Sequence, residues 1–355
     1  MTKKLIKGNI ALCEGAITAG LKSYFGYPIT PQNEIPAYLS KRMVELGRVF
    51  IQAESEIAAA SMVLGAAITG ARAMTSSSSP GISLKQEAIS YMSGMQVPAL
   101  IVNVQRGGPG LGNISSSQSD YFQAVKGGGH GDYKIIVLAP NSAQEMYETA
   151  YDAFDLAEKY RTPVMILTDG IIGQMMEPIE FNRIEKKEFT EKEWILNGSK
   201  GREPRSIKSL LMKDGVLEKH NVKLQEKYKL ISENEVKYES YMLEDAEIII
   251  IAYGISSRIA RSAVKLARKN GIKAGLLRPK TLWPFPSEII NSLAKPNVKF
   301  LSIELSHGQM VEDVKLAVNG KSEVGFLGKA GGGLVTEQEI LKKIQSQILG
   351  GSSGA

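Results

Sequence analysis

Ala99-Leu100-Ile101-Val102-Asn103-Val104-Gln105-Arg106-Gly107-Gly108-Pro109-Gly110-Leu111-Gly112 is the stretch that decides the fold. Five of its first six residues, all but Asn103, are apolar with no polar alternation, the pattern of a strand covered on both faces, and such strands belong to parallel sheets. The glycines after it stop the strand. Arg106 therefore stands at a strand's carboxyl end, where open α/β sheets gather their ligands.

Working outward, a helix over Leu84 to Met95 precedes the strand, and before it lie a strand end, Ala73-Met74-Thr75, and a turn, Ser76 to Gly81. Downstream come a strand at Ile135 to Leu138, a helix from Ala143 to Lys159 and a strand from Val164 to Thr168. This alternation is the signature of βαβ units. Upstream, helical spacing over residues 9–24 ends at Gly26-Tyr27-Pro28, and a stiff loop, Ile29-Thr30-Pro31, leads to a helix from Gln32 to Leu46. A short strand at Val49 to Gln52 and an Ala-rich helix from Glu54 to Thr69 complete a layered domain.

Beyond Arg183 the texture changes. Charged residues crowd the stretch to Glu244, and Gly198, Gly201, Pro204 and Gly215 interrupt any period, so this segment reads as a linker or surface excursion. A second βαβ unit follows, with strands at Ala246 to Ala252, Ala274 to Leu277 and Lys299 to Glu304 and helices at Ser256 to Asn270 and Pro286 to Leu293. The domain organisation expected is 1–182, a charged segment at 183–244, a smaller domain at 245–348 and a flexible tail at 349–355.

Composition narrows the function. The 355 residues suffice for two packed domains, and Lys+Arg at 43 against Asp+Glu at 37 leaves a net charge of +6 with no compact basic stripe, which argues against nucleic acid. The single cysteine, Cys13, excludes a disulfide framework and any cysteine-ligated iron–sulfur cluster carried by this chain alone. Asn9 and Glu14 break up the apolar stretch after the basic start, so it does not read as a signal peptide, and no run reaches the roughly 20 apolar residues of a membrane helix. A soluble cytoplasmic protein is expected.

Three residues have placement suited to chemistry. Thr30, between two prolines, offers a hydroxyl on a stiff loop, or simply starts the next helix. Glu56 sits in the first turn of the Ala-rich helix, stabilised there by the macrodipole and open to partial desolvation against a ligand; Glu54, two residues away, faces elsewhere. Arg106 has the geometry to grip a carboxylate through two hydrogen bonds. The loop after it lacks the Gly-Lys-Ser/Thr of a phosphate-binding loop. Asp169-Gly170 with Asn197 imitates a magnesium–diphosphate motif, but Thr168 stands where that motif needs glycine; His130 reads as a solvated loop residue.

Taken together, Tyr27-Pro28-Ile29-Thr30-Pro31, Ser55-Glu56-Ile57-Ala58-Ala59, Thr75 to Gly81, Val104 to Pro109, Leu277 to Pro286 and Glu304 to Met310 resemble the alpha subunit of the 2-oxoacid:ferredoxin oxidoreductases. The resemblance spans nearly the whole chain in family order. It implies an α/β architecture: a three-layer αβα thiamine diphosphate-binding fold, the pyrimidine domain, followed by a transketolase C-terminal-like α/β domain. It also implies a thiamine diphosphate shared with a beta subunit that holds the Mg2+ and a [4Fe–4S] cluster, gamma and ferredoxin-like delta subunits, and ferredoxin and coenzyme A as reaction partners. Carried over by position, Glu56 accepts a hydrogen bond from N1′ of the aminopyrimidine, Ser79 contacts the cofactor, and Thr30 and Arg106 hold the 2-oxoacid.

Family members that use 2-oxoglutarate usually read Gly-Gly-Pro-Ser-Thr-Gly where this chain has Gly107-Gly108-Pro109-Gly110-Leu111-Gly112. Losing two hydroxyls and gaining Leu111 favours a branched-chain acid such as 2-oxoisovalerate. The 2-oxoglutarate enzyme, the beta chain of a lipoyl-linked 2-oxoacid dehydrogenase and a non-catalytic docking scaffold remain as alternatives.

Overall fold

The computed structural model describes residues 3–185 and 192–349. In chain order its first half runs β1 (Lys4–Lys7), α1 (Gly8–Thr18), β2 (Ser23–Gly26), α2 (Glu34–Glu45), β3 (Val49–Gln52), α3 (Glu56–Ile68), β4 (Ala73–Ser77), α4 (Pro80–Gly94) and β5 (Leu100–Gln105). It continues through α5 (Tyr121–Val125), β6 (Ile136–Leu138), α6 (Ala143–Tyr160), β7 (Val164–Asp169), α7 (Gly170–Gln174) and β8 (Met176–Ile179). The second half holds α8 (Val216–Asn234), β9 (Tyr238–Tyr241), β10 (Ile248–Ile251), α9 (Gly254–Lys269), β11 (Ala274–Pro279) and β12 (Thr281–Trp283). It ends with α10 (Ser287–Leu293), β13 (Lys299–Glu304), α11 (Met310–Val318), β14 (Val324–Gly328) and α12 (Glu337–Leu349).

Two sheets organise these elements: a seven-stranded one in the order β12-β6-β7-β5-β4-β2-β3 and a five-stranded one in the order β14-β13-β10-β11-β9. Both are parallel except at one edge, where β12 and β9 pair antiparallel. The apolar run at Leu100–Val104 is buried throughout, in the sheet interior between β4 and β7, as its lack of alternation requires. Ile248–Ile251 plays the same part in the second sheet.

Two expectations change. The helix expected over 9–24 stops at Thr18; Gly20 adopts φ +86°, and Ser23–Gly26 becomes a buried strand. Tyr24, fully buried and stacked on Phe50, belongs to the sheet rather than to a helix face. The segment 183–244 also does more than connect. Its helix α8 buries Leu224, Tyr228 and Ile231, with Tyr228 edge-on to Trp283 at 5.8 Å, and β9 joins the second sheet. Only a few buried positions among many charges carry that packing, so its periodicity is faint in the sequence. Of the expected tail, residues 350–355 lie outside the described residues.

The two sheets are clasped by buried polar groups. The Gln118 N–H donates to the Leu305 carbonyl, while its side-chain amide accepts from the Leu305 N–H and from Ser256 Oγ, at 2.9 and 2.7 Å, and donates to the Tyr253 carbonyl at 2.9 Å. Glu304 accepts from the backbone N–H groups of Gln309, Met310 and Val311, capping α11, while Gln309 donates to the Ser119 carbonyl. Arg278 forms a two-pronged pair with Glu145 and a third bond to Glu239, joining α6, β9 and β11. Burial alone pushes the Glu145 carboxyl up, but the bonds and charge of Arg278 and Lys280 hold it down at about 2.

Candidate active site

β3, β2, β4 and β5 are neighbours in that order, and the pairings between them are parallel, so the loops leaving their carboxyl ends form one wall. That wall carries Glu56, Thr30, Ser79 and Arg106. The fold thus brings these four residues to a single sheet edge.

Ser55 caps α3 by accepting from the Ala58 N–H, which places Glu56 as the helix's first residue. Glu56 is buried at 7% exposure, whereas Glu54 is exposed, which settles which of the two acids faces inward. A Cβ at Gly81, in the first turn of α4, would lie 2.8 Å from Glu56 Oε1 and would strike the Ser77 hydroxyl. The hydroxyls of Ser77 and Ser78 are buried without a hydrogen-bond partner. Buried polar atoms left unpaired beside a carboxylate mark a place where a ligand completes the network.

Behind Glu56 lies Lys85, at 1% exposure. Its ammonium donates to Thr75 Oγ1 at 2.8 Å and stands 3.5 Å from the Glu56 carbonyl oxygen. Burial lowers its pKa to about 8, against the opposing pull of the Glu56 charge.

Arg106 is buried, and two of its five N–H groups are committed: Nη1 to the Thr30 carbonyl at 3.0 Å and Nη2 to the Leu111 carbonyl at 2.9 Å. Its Nε is buried and unpaired. The guanidinium therefore spans the gap between the Thr30 loop and the glycine loop with donors to spare. The Thr30 hydroxyl accepts from Asn33 Nδ2 at 3.1 Å, which leaves its own proton free to donate.

Ser79 takes a strained backbone, φ +24° and ψ −83°, held by a bond from its N–H to Asn103 Oδ1 at 3.1 Å. Its hydroxyl donates to Asp120 Oδ2 at 2.6 Å and accepts from the Arg106 N–H at 2.9 Å. The side chain is thus consumed by the protein, so Ser79 shapes the turn and places Arg106. Asp120, which also accepts from Asn103 Nδ2, has its carboxyl pushed up by burial. Sequence reasoning missed Ser77, Lys85, Asn103 and Asp120. For Asn103 a signal existed, a polar residue inside an otherwise apolar strand.

The imitation metal motif resolves into structure. Asp169 caps α7 through the Ile171 and Ile172 N–H groups and takes a bond from Ser116 Oγ, while Asn197 is exposed and bonded to Arg202. His130 is exposed in its loop. Among the described residues no group of three or more His, Cys, Asp and Glu side chains is placed to hold a metal ion.

Residues 14–244 match the family described as pyruvate flavodoxin/ferredoxin oxidoreductase, thiamine diphosphate-binding, and residues 246–340 match pyruvate:ferredoxin oxidoreductase core domain II. The chain belongs to this family. Ketoisovalerate oxidoreductase subunit VorB of Methanothermobacter marburgensis is 52% identical over 353 residues, spanning 99% of this chain and 100% of its own length. The 2-oxoglutarate synthase subunit KorA of Methanothermobacter thermautotrophicus is 38% identical, spanning 96% and 97%. The structure of a 2-oxoglutarate:ferredoxin oxidoreductase from Magnetococcus marinus, with 2-oxoglutarate, coenzyme A and succinyl-CoA bound, matches 98% of this chain at TM-score 0.85 and 26% identity. This chain spans 65% of that longer one. A split-gene transketolase matches at TM-score 0.59 and 13% identity, which shows the shared fold alone. The chain is thus an alpha-type subunit of a 2-oxoacid:ferredoxin oxidoreductase, an α/β protein with a thiamine diphosphate-binding domain. The wall described above suits such a coenzyme: a buried carboxylate, unpartnered hydroxyls beside it, and glycine where bulk would block approach.

Proposed function

We propose that this chain forms the pyrimidine half of the active site of a branched-chain 2-oxoacid:ferredoxin oxidoreductase, converting an acid such as 2-oxoisovalerate and coenzyme A to an acyl-CoA and carbon dioxide. Ferredoxin accepts the two electrons singly. The observation that carries this reading is the Glu56 carboxylate, buried beside the free Ser77 hydroxyl and kept open by Gly81.

Bound thiamine diphosphate supplies the electron sink for decarboxylation. Glu56 accepts a hydrogen bond from N1′ of its aminopyrimidine, a charge-assisted bond worth roughly 1.5–3 kcal/mol. In doing so it would hold a proton at that nitrogen and favour the imino form of the 4′ nitrogen across the ring, which is the form able to accept a proton. The spare N–H groups of Arg106 and the Thr30 hydroxyl bind the carboxylate or keto oxygen of the 2-oxoacid and orient it. A beta subunit, holding the Mg2+–diphosphate contacts and a [4Fe–4S] cluster, forms the facing wall; gamma and ferredoxin-like delta subunits complete the assembly, which works in the cytoplasm. For the substrate, the support is the likeness to VorB together with Leu111 in the loop that Arg106 holds.

Reconstitution with the partner subunits tests this. With 2-oxoisovalerate, coenzyme A and ferredoxin, Glu56→Gln lowers kcat by about a hundredfold or more. Near-normal turnover in that variant, or a higher kcat/KM for 2-oxoglutarate in the unaltered complex, overturns the reading of the site or of the substrate respectively.

A further inference from the structure

Lys85 is buried more completely than the acid it sits behind. It lies in the second turn of α4, at 1% exposure, enclosed by α3 and β4. Such a position suits leucine or methionine, since desolvating an ammonium is expensive and Lys85 forms no ion pair among the described residues. Its one strong partner is neutral, Thr75 Oγ1 at 2.8 Å. The charge acting on it is that of Glu56, whose backbone carbonyl stands 3.5 Å from Nζ. Glu54, just before α3, and Glu87 on α4 are exposed, and Glu87 is taken up by Tyr91. Electrostatic coupling is reciprocal, so whatever Glu56 does for Lys85, Lys85 does for Glu56.

We propose that Lys85 is a positioning residue for Glu56: from behind the amino end of α3 its ammonium draws on the carboxylate's negative charge and strengthens the hydrogen bond which that carboxylate accepts from the coenzyme's ring nitrogen. The inference depends on the reading that Glu56 meets the aminopyrimidine. The geometry separates two tasks. Thr75 and the Glu56 carbonyl fix where the ammonium stands, and the ammonium then favours negative charge on the side chain that leaves the same turn. Without it, the carboxylate loses that cation, and the hydrogen bond it accepts from the ring nitrogen weakens.

Lys85→Met removes charge and hydrogen bond, and Lys85→Gln removes the charge while keeping a donor for Thr75. Both are assembled with the partner subunits, alone and combined with Glu56→Gln. The first readout is the rate of deuterium exchange at the thiazolium C2 of bound coenzyme, by rapid quench and NMR; the second is coenzyme affinity. The expected result is exchange slowed about tenfold in both Lys85 variants, below the 10²–10⁴-fold span of removing the acid–base group itself. Coenzyme affinity stays within about threefold, and no further slowing occurs in the Glu56→Gln background. Wild-type exchange in Lys85→Gln overturns the inference, as does an equal loss in both backgrounds, which marks a structural role. Should one substitution prevent assembly, the other carries the measurement. Wild-type exchange in Glu56→Gln alone instead overturns the reading beneath it.

Discussion

Gly81 and Glu56 are mutually exclusive with bulk: a Cβ at position 81 would lie 2.8 Å from Glu56 Oε1 and press on the Ser77 hydroxyl. A helix begun by Pro80 normally gains from alanine at its next position. That glycine stands there instead points to the space in front of Glu56 rather than to the helix.

Gly81→Ala is therefore expected to separate stability from function. The helix gains up to about 1 kcal/mol from the alanine, offset by the crowding, so the melting temperature of the isolated chain stays within a few degrees. Coenzyme affinity and turnover of the assembled enzyme fall by about tenfold or more. Calorimetric melting beside coenzyme titration checks this; an unaltered affinity removes the steric account of Gly81.

Asp120 serves Arg106 through Ser79, by the chain of bonds from Asp120 Oδ2 to the Ser79 hydroxyl to the Arg106 N–H. Asp120→Ala leaves the Ser79 hydroxyl and the Asn103 amide each short of a partner, at a cost of about 1–3 kcal/mol in urea denaturation. The strained turn at Ser79 relaxes, Arg106 shifts, and KM for the 2-oxoacid rises about tenfold with a smaller change in kcat. A variant with unchanged KM assigns Asp120 to folding alone.

Acid stability depends on the pair that joins the two halves. The Glu145 carboxyl, held at about 2 by Arg278 and Lys280 despite burial, adds stability that is complete above its ordinary range and lost as pH falls toward 2. The shift from 4.5 corresponds to about 3 kcal/mol. Glu145→Gln is expected to lose most of this at pH 7 and to show a flatter decline between about pH 4.5 and 2. Urea midpoints at pH 7, 4 and 3 measure both; parallel slopes in variant and wild type contradict the role.

Legibility followed burial pattern. Leu100–Val104 and Ile248–Ile251 carry both the sheet and its parallel character, so the strand-end loops and three of their residues were readable from one sequence. Helix α8 was not, because three buried side chains among nineteen residues leave no apolar stripe. β12 escaped for another reason: it follows β11 after one residue yet pairs with β6 in the other sheet, a long-range choice invisible to local pattern. Lys85 and Asp120 carry no local sign of burial: the packing of α3 against α4 encloses the first, and the Ser79 hydroxyl and Asn103 amide hold the second. Ser79 stands at the strand-end turn where the sequence places it, and its hydroxyl donates to Asp120, a long-range bond no local pattern announces.

In the proposed function substrate choice turns on Leu111, whose carbonyl is held by Arg106 and whose side chain is 80% exposed on this chain. In that reading Arg106 binds the 2-oxoacid, and a leucine exposed on the loop that Arg106 anchors then meets the substrate. Restoring both hydroxyls of the 2-oxoglutarate pattern is not a neutral exchange, because Gly110 has φ +68°, a conformation any other residue adopts at a cost of about 1 kcal/mol. Leu111→Thr alone avoids that strain. It replaces apolar surface with a donor for a distal carboxylate, and a pocket difference of this size is worth about 1–3 kcal/mol, or 10–200-fold. The ratio of kcat/KM for 2-oxoisovalerate to that for 2-oxoglutarate is expected to fall by at least about tenfold, mostly through loss on the branched acid. If the ratio stays fixed while both values drop together, Leu111 supports the loop that positions Arg106, and the discrimination resides on the facing subunit.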